Sequence, residues 1–200
     1  MISKSSNNQI RIDIALIPSK LLFSAVIDAS QAITQRFRNN NIIDADRFPP
    51  HLSLHICTIP NNNLSLFTND VVLSNSKIVS LKPTRLSMAS SGYIFLEVEK
   101  SPAIYKLHER IINISARIRG SHFEEVPEKK LNYWNAQEQR NYKTYGNIFV
   151  REKFAPHFSI AKVDQENLSE SFEITRLIIK PIIGIEIPIS RPLRNPLKIW

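Results

Sequence analysis

Two hundred residues, 42% of them apolar, suffice for one packed domain or two small lobes sharing a core, which argues against disorder. With only 4 Gly and no G-x-x-x-x-G-K-[ST] or G-x-G-x-x-G pattern, the chain lacks the glycine loops that cradle nucleoside triphosphates and dinucleotides. A formal net charge of +8 favours polyanionic partners, RNA and nucleotides among them, without naming one.

In chain order, residues 10–17 alternate Ile/Arg/Ile/Asp/Ile/Ala, the period of a strand with one aliphatic face. Residues 19–38 have helical spacing, with Leu22, Val26, Ala29, Ile33 and Phe37 on one stripe. A strand over 51–58, a short helical segment over 64–72 and a strand over 77–88 complete the first half. The second half opens with a strand over 93–98. A helix then begins at Pro102 with Ser101 as N-cap, its predicted apolar stripe being Ile104, Leu107, Ile111, Ile114 and Ile118. Residues 120–150 are polar and rich in aromatics, and read as an insertion at the mouth of a cleft, partly helical over 127–146. A strand over 157–163, a short helix over 165–172 and a strand over 176–188 follow. The proline-bearing tail from Pro188 to Trp200 reads as an edge strand with a turn.

One motif occurs twice. Residues 47–54 read RFPPHLSL, and residues 153–160, 106 positions on (153 − 47), read KFAPHFSI. The pattern is basic, Phe, small or Pro, Pro, His, large apolar, Ser, aliphatic. The flanking elements repeat in the order β-α-β-α-β. The expected fold class is α+β, a single bilobal domain over 1–200 with pseudo-twofold duplicated units. Its halves run about 1–90 and 91–200, its antiparallel-rich sheets form a central cleft, and its helices lie outside.

On a strand, residues i and i+2 point to one face, so His51 goes with Ser53 and His157 with Ser159, each pair about 6.6 Å apart along the backbone. If the halves are related by a pseudo-twofold axis, the two pairs meet in one cleft. That layout suits in-line displacement at phosphorus. A neutral imidazole takes a proton from the nucleophile, an imidazolium gives one to the leaving oxygen, and the serines donate to non-bridging oxygens. No metal or other cofactor is expected. His51 and His55 would lie about 13 Å apart on a strand, too far to share an ion. Cys57 is the only cysteine, which excludes an internal disulfide and fits a reducing compartment.

At these residues the chain resembles the 2H phosphoesterase superfamily, whose signature is two H-Φ-[TS]-Φ motifs, one per lobe of a bilobal α+β fold. Residues 145–163, YGNIFVREKFAPHFSIAKV, and 48–60, FPPHLSLHICTIP, are similar to the motifs of its bacterial 2′-5′ RNA ligase and RNA 2′,3′-cyclic phosphodiesterase branch. The resemblance covers most of the chain in element order. It implies His51 and His157 as acid and base and Ser53 and Ser159 as phosphate-binding residues. Serine stands where threonine is commoner, and Lys162 stands where arginine is common. Ala161 occupies the place that matches His55. The implied reaction is metal-independent cleavage of RNA ends, 2′,3′-cyclic phosphates or 2′-5′-linked oligonucleotides. Ligation, cleavage of a cyclic nucleotide signal, and RNA or nucleotide binding without chemistry remain open alternatives.

Further substrate contacts are expected from His55, Tyr93, Tyr145, Trp134 and Lys162. Tyr93 either stacks on a base or packs across strands. Tyr133, Trp134, Arg140, Tyr142, Lys143 and Tyr145 interleave aromatic and basic residues, a pattern that serves RNA contact or a solvated helix whose aromatics cap the core. His108 and His122 are expected at the surface. With no leader and no apolar run long enough to span a bilayer, the expectation is a cytoplasmic monomer without membrane contact; leaderless export stays open.

Overall fold

A computed structural model describes residues 9–37, 43, 48–66, 80–119, 128–192 and 197–198. The 67–72 and 77–79 portions of two expected elements, residues 120–127 of the insertion with His122, Arg47, and residues 193–196 and 199–200 of the tail lie outside the described residues.

The described strands are β1 (Gln9–Pro18), β2 (Leu52–Pro60), β3 (Ser80–Leu81), β4 (Pro83–Met88), β5 (Tyr93–Val98), β6 (His157–Lys162), β7 (Ile187–Pro192) and β8 (Leu197–Lys198). The helices are α1 (Lys20–Phe37), α2 (Pro102–Arg119), α3 (Glu128–Leu131), α4 (Ala136–Tyr145) and α5 (Leu168–Ile179). The fold is α+β with two antiparallel sheets. One runs β2-β1-β7-β3, with β8 also pairing β1, and the other runs β4-β5-β6. The edge strands β2 and β6 come into contact, so the two sheets meet along the elements that carry the duplicated motif.

Helices cross between the sheets. α2, which follows β5, packs on β2, whereas α1, which follows β1, packs on β6 and on α5. Strands cross as well. β4 pairs with β5, and β7 reaches back to lie between β1 and β3. β7, which opens the tail, is therefore an interior strand, whereas β8 further along the tail pairs, among the described residues, with β1 alone. The apolar core is continuous, running from Ile12, Leu22, Val26 and Leu52 to Ile94, Leu96, Phe158 and Ile160.

Two expectations change. Residues 176–188 do not form one strand: α5 continues to Ile179, and a 3₁₀ turn through Pro181 precedes β7. Ser171, Thr175 and Ile179 are buried at helical spacing, and Thr175 Oγ1 donates to the Ser171 carbonyl at 2.8 Å. A β-branched stretch reads locally as a strand, but packing on α1 makes it helical. The buried stripe of α2 is also rotated from the aliphatic one expected. It contains Ile104, His108, Ile111, Ile112, Ser115 and Arg119, while Leu107, Ile114 and Ile118 are only partly buried. The Ser101 N-cap does form, its hydroxyl accepting from the Ile104 amide.

Ser115 bonds the Ile111 carbonyl of its own helix, whereas His108 and Arg119 are bonded by other segments. His108 is fully buried, not a surface residue. Its Nδ1 bonds the Leu54 carbonyl at 2.7 Å, and its Nε2 accepts from the Arg151 amide at 3.0 Å. The second bond fixes the proton on Nδ1. The ring also stacks on Phe154 with centroids 3.9 Å apart. Arg151 has φ 56, a left-handed backbone that costs a non-glycine residue about 1–3 kcal/mol. The His108 bond, together with the Arg151 side chain bonding the Tyr145 hydroxyl, holds it there just ahead of β6. Arg119 Nη1 donates to the Tyr142 and Lys143 carbonyls at the end of α4. Gly146 caps that end with φ 76, and a Cβ there would meet the Arg119 guanidinium at 3.1 Å.

His108→Ala would strand the Leu54 carbonyl and the Arg151 amide, at about 1–3 kcal/mol for each buried group left unpaired. A urea titration should show a loss of about 2–4 kcal/mol. A loss well under 1 kcal/mol would mean that these bonds do not tie α2 to β2.

Candidate active site

Each copy of the motif enters its strand in the same way. His51 Nδ1 bonds the Pro49 carbonyl at 2.8 Å, and His157 Nδ1 bonds the Ala155 carbonyl at 2.8 Å. A carbonyl only accepts, so Nδ1 carries the proton in both rings and Nε2 is the nitrogen left for chemistry.

Each strand then has one extra residue at the same place. On β1–β2 the pairing steps from Ile14↔His55 to Ala15↔Ser53, leaving Leu54 without an opposite number. On β5–β6 it steps from Ile94↔Ala161 to Phe95↔Ser159, leaving Ile160 over. These are β-bulges directly after the motif serine, and a bulge exchanges the faces on either side of it. Before the bulge, Ser53 shares the face of Ala15 and Asp13; after it, His55 shares that of Ile14, the core face. His55, expected to contact substrate, turns into the core for this reason. His55 is 2% exposed. In β6 the same inversion turns Ala161 inward and puts Lys162 opposite Tyr93 on the half-buried face.

His55 is an internal polar residue. Neither ring nitrogen has a hydrogen-bond partner, and burial is the main cause that pushes its pKa down to about 3. The guanidinium of Arg119 nearby pushes the same way. His108 is likewise held below its ordinary value, chiefly by burial.

Around His51 the environment is different. Burial pulls its pKa down, but contact with the Asp13 carboxylate and the Pro49 carbonyl outweighs burial, so the net shift is upward. Asp13 Oδ2 lies 3.4 Å from His51 Nε2 and accepts from Ser53 Oγ at 2.6 Å. Asp13 is 3% exposed, a buried carboxylate on the less aliphatic face of β1 whose role is not read from the sequence. The signal for it was present: an acid in the middle of an aliphatic strand needs a partner. Phe48 meets the His51 ring edge-on at 5.3 Å.

Around His157 the neighbours are aromatic. Phe95 meets its ring edge-on at 4.5 Å, Tyr93 lies parallel to Phe95 at 5.6 Å, and Lys162 Nζ sits 5.3 Å from the Tyr93 ring centre. Tyr93 is thus engaged by cross-strand and same-strand neighbours. Gly92 (φ 86) allows the approach of β6, because a Cβ there would come 2.1 Å from the Val163 carbonyl. Ser159 is half-buried opposite Phe95. Trp134 contacts Tyr142 and Lys130, and Tyr145 holds Arg151, so the described side-chain contacts of both lie within the 128–151 region. Among the described residues no group of three or more His, Cys, Asp or Glu could hold a metal ion. Among the same residues, no helix is long and apolar enough to cross a membrane.

No family model matches the chain, and no curated protein matches it. Among solved structures it is similar to Usb1 of Kluyveromyces marxianus, solved with uridine monophosphate. The identity is 12%, the coverage is 88% of this chain and 85% of that one, and the TM-score is 0.39.

The buried histidines have a consequence for stability. The unfolded chain binds a proton at His55 near the ordinary value of 6.5, whereas the folded chain does so only at about 3. Falling pH across that window therefore favours the unfolded state, and the contribution is fully present only above about 6.5. The urea midpoint should drop as pH falls from about 7.5 to about 5. In His55→Leu, which removes the titrating group but not the bulk, the drop should be shallower. Equal slopes in the two proteins would show that His55 is not buried in its neutral form.

Proposed function

We propose that this chain is a metal-independent phosphodiesterase of the 2H type, with His51 and His157 as its acid–base pair. The observation that carries the reading is a recurrence. The same His Nδ1-to-carbonyl bond and the same bulge after the serine occur 106 residues apart (His157 − His51), on two edge strands in contact with each other. Both bonds leave Nε2 as the reactive nitrogen. Both bulges keep His and Ser on one face while sending the next residues inward. A pseudo-twofold relation between the halves, with the two motifs facing one cleft, accounts for this repetition.

In this reading one imidazole removes a proton from the group attacking phosphorus, while the other protonates the leaving oxygen. Each transfer is worth about 10²–10⁴-fold. Ser159 donates to a non-bridging oxygen, and Ser53 does so by turning its hydroxyl from Asp13 when the phosphate arrives. Lys162 adds positive charge and Tyr93 apolar surface on the same face as His157. The substrate class is RNA ends, 2′,3′-cyclic phosphates or 2′-5′-linked oligonucleotides, in keeping with the +8 net charge.

The test is turnover of a nucleoside 2′,3′-cyclic phosphate and a 2′-5′ oligoadenylate panel in EDTA. Activity should persist with the chelator and fall at least about 100-fold in His51→Ala and in His157→Ala. RNA binding without turnover of any of these would favour a binding module, and activity surviving either substitution would sink the two-histidine assignment.

A further inference from the structure

The two histidines are alike in backbone and unlike in company. In register, the residue opposite each motif serine is Ala15 in the first copy and Phe95 in the second. Two residues before these, on the same face, stand Asp13 and Tyr93. The carboxylate of the first copy is therefore replaced by a phenol in the second. The acid that does lie beside His157 is Glu97, its register partner, but both Glu97 oxygens are bonded by Arg85, at 2.7 and 3.3 Å. Among the described residues no Arg or Lys bonds Asp13 in this way. The contacts of its Oδ2 are Ser53 Oγ and His51 Nε2, while Oδ1 is buried without a hydrogen-bond partner.

We propose that Asp13 is a positioning residue that makes the pair directional: it keeps His51 protonated, so that His51 serves the leaving oxygen and His157 the attacking group. This rests on the two-histidine reading above. At 3.4 Å the contact is long for a hydrogen bond. The carboxylate therefore stabilises the imidazolium by charge while the Nε2 proton stays available to a second acceptor. In hydrolysis, water bonds to phosphorus and its proton passes to His157 Nε2. As the bond from phosphorus to the leaving oxygen breaks, that oxygen takes the proton from His51 Nε2. Solvent then removes the proton from His157 and returns one to His51.

Other charged residues of these strands, outside their buried aliphatic positions, are Arg11 on β1, Arg85 on β4 paired with Glu97 on β5, and His157 and Lys162 on β6. Arg191 of β7 is the register partner of Ile17. Asp13 is the charged group that acts on the His51 ring.

The experiment is a histidine NMR titration of the intact chain alongside pH–rate profiles, for wild type, Asp13→Asn and Ser53→Ala. In Asp13→Asn the His51 midpoint, and the alkaline limb of kcat/KM, should move down by about one pH unit. Ser53→Ala, which keeps the carboxylate, should retain the raised midpoint. The loss in Asp13→Asn should appear in kcat. It should be at least tenfold smaller for a nitrophenyl phosphodiester, whose leaving group needs no proton, than for a nucleoside leaving group. Unchanged His108 signals in the same spectra report an intact core. An unmoved His51 midpoint, or equal losses on both leaving groups, overturns the inference even where the two-histidine assignment stands. A shifted midpoint in a wild-type protein that turns over no phosphodiester supports the proton-holding role of Asp13 and overturns the proposed function instead.

Discussion

A strand with perfect alternation cannot send His51 and Ser53 to one side and His55 to the other. The extra residue at Leu54 makes that possible, and Ile160 does the same for β6. Each bulge costs a ladder position and gains an inversion of faces. Ahead of it stand the motif histidine and serine. Beyond it, Cys57 and Ile59, or Ala161 and Val163, go into the core. Histidine, serine and lysine can then share one face of a six-residue strand, β6, without exposing the aliphatic residues between them. The candidate site depends on this irregularity more than on any single side chain.

The second constraint is the way the halves are locked. β2 is an edge strand, and its outward carbonyls need partners. His108 of α2 takes that of Leu54, and Asn147 takes that of Ile56. Both donors come from the second half of the chain, which also lends β7 to the first sheet. A buried neutral histidine suits this task because it donates at one nitrogen and accepts at the other, bridging β2 to the turn that launches β6. The geometry of one motif strand is therefore transmitted to the other through hydrogen bonds as well as apolar packing.

The copies have diverged where the chemistry would differ. Phe48 stays half-exposed against His51, whereas Phe154, its counterpart, is buried on His108. Asp13 and Tyr93 occupy equivalent register positions, one a carboxylate and the other an uncharged phenol.

Much of this was legible in the amino-acid order. Period-two alternation located β1 and β5, helical spacing located α1, and the duplicated octapeptide marked His51, Ser53, His157 and Ser159, because those signals are local and repeat within a few residues. The helical end of α5 and the interior position of β7 were not legible, since a β-branched run takes its conformation from what packs on it. The polar stripe of α2 was hidden because His108 and Arg119 are buried only by virtue of acceptors far along the chain. The face of His55 and the partnership of Asp13 with Ser53 and His51 depend on strand register. A single extra residue reverses every side chain beyond it, and nothing in the composition of a strand announces where its neighbour will skip one.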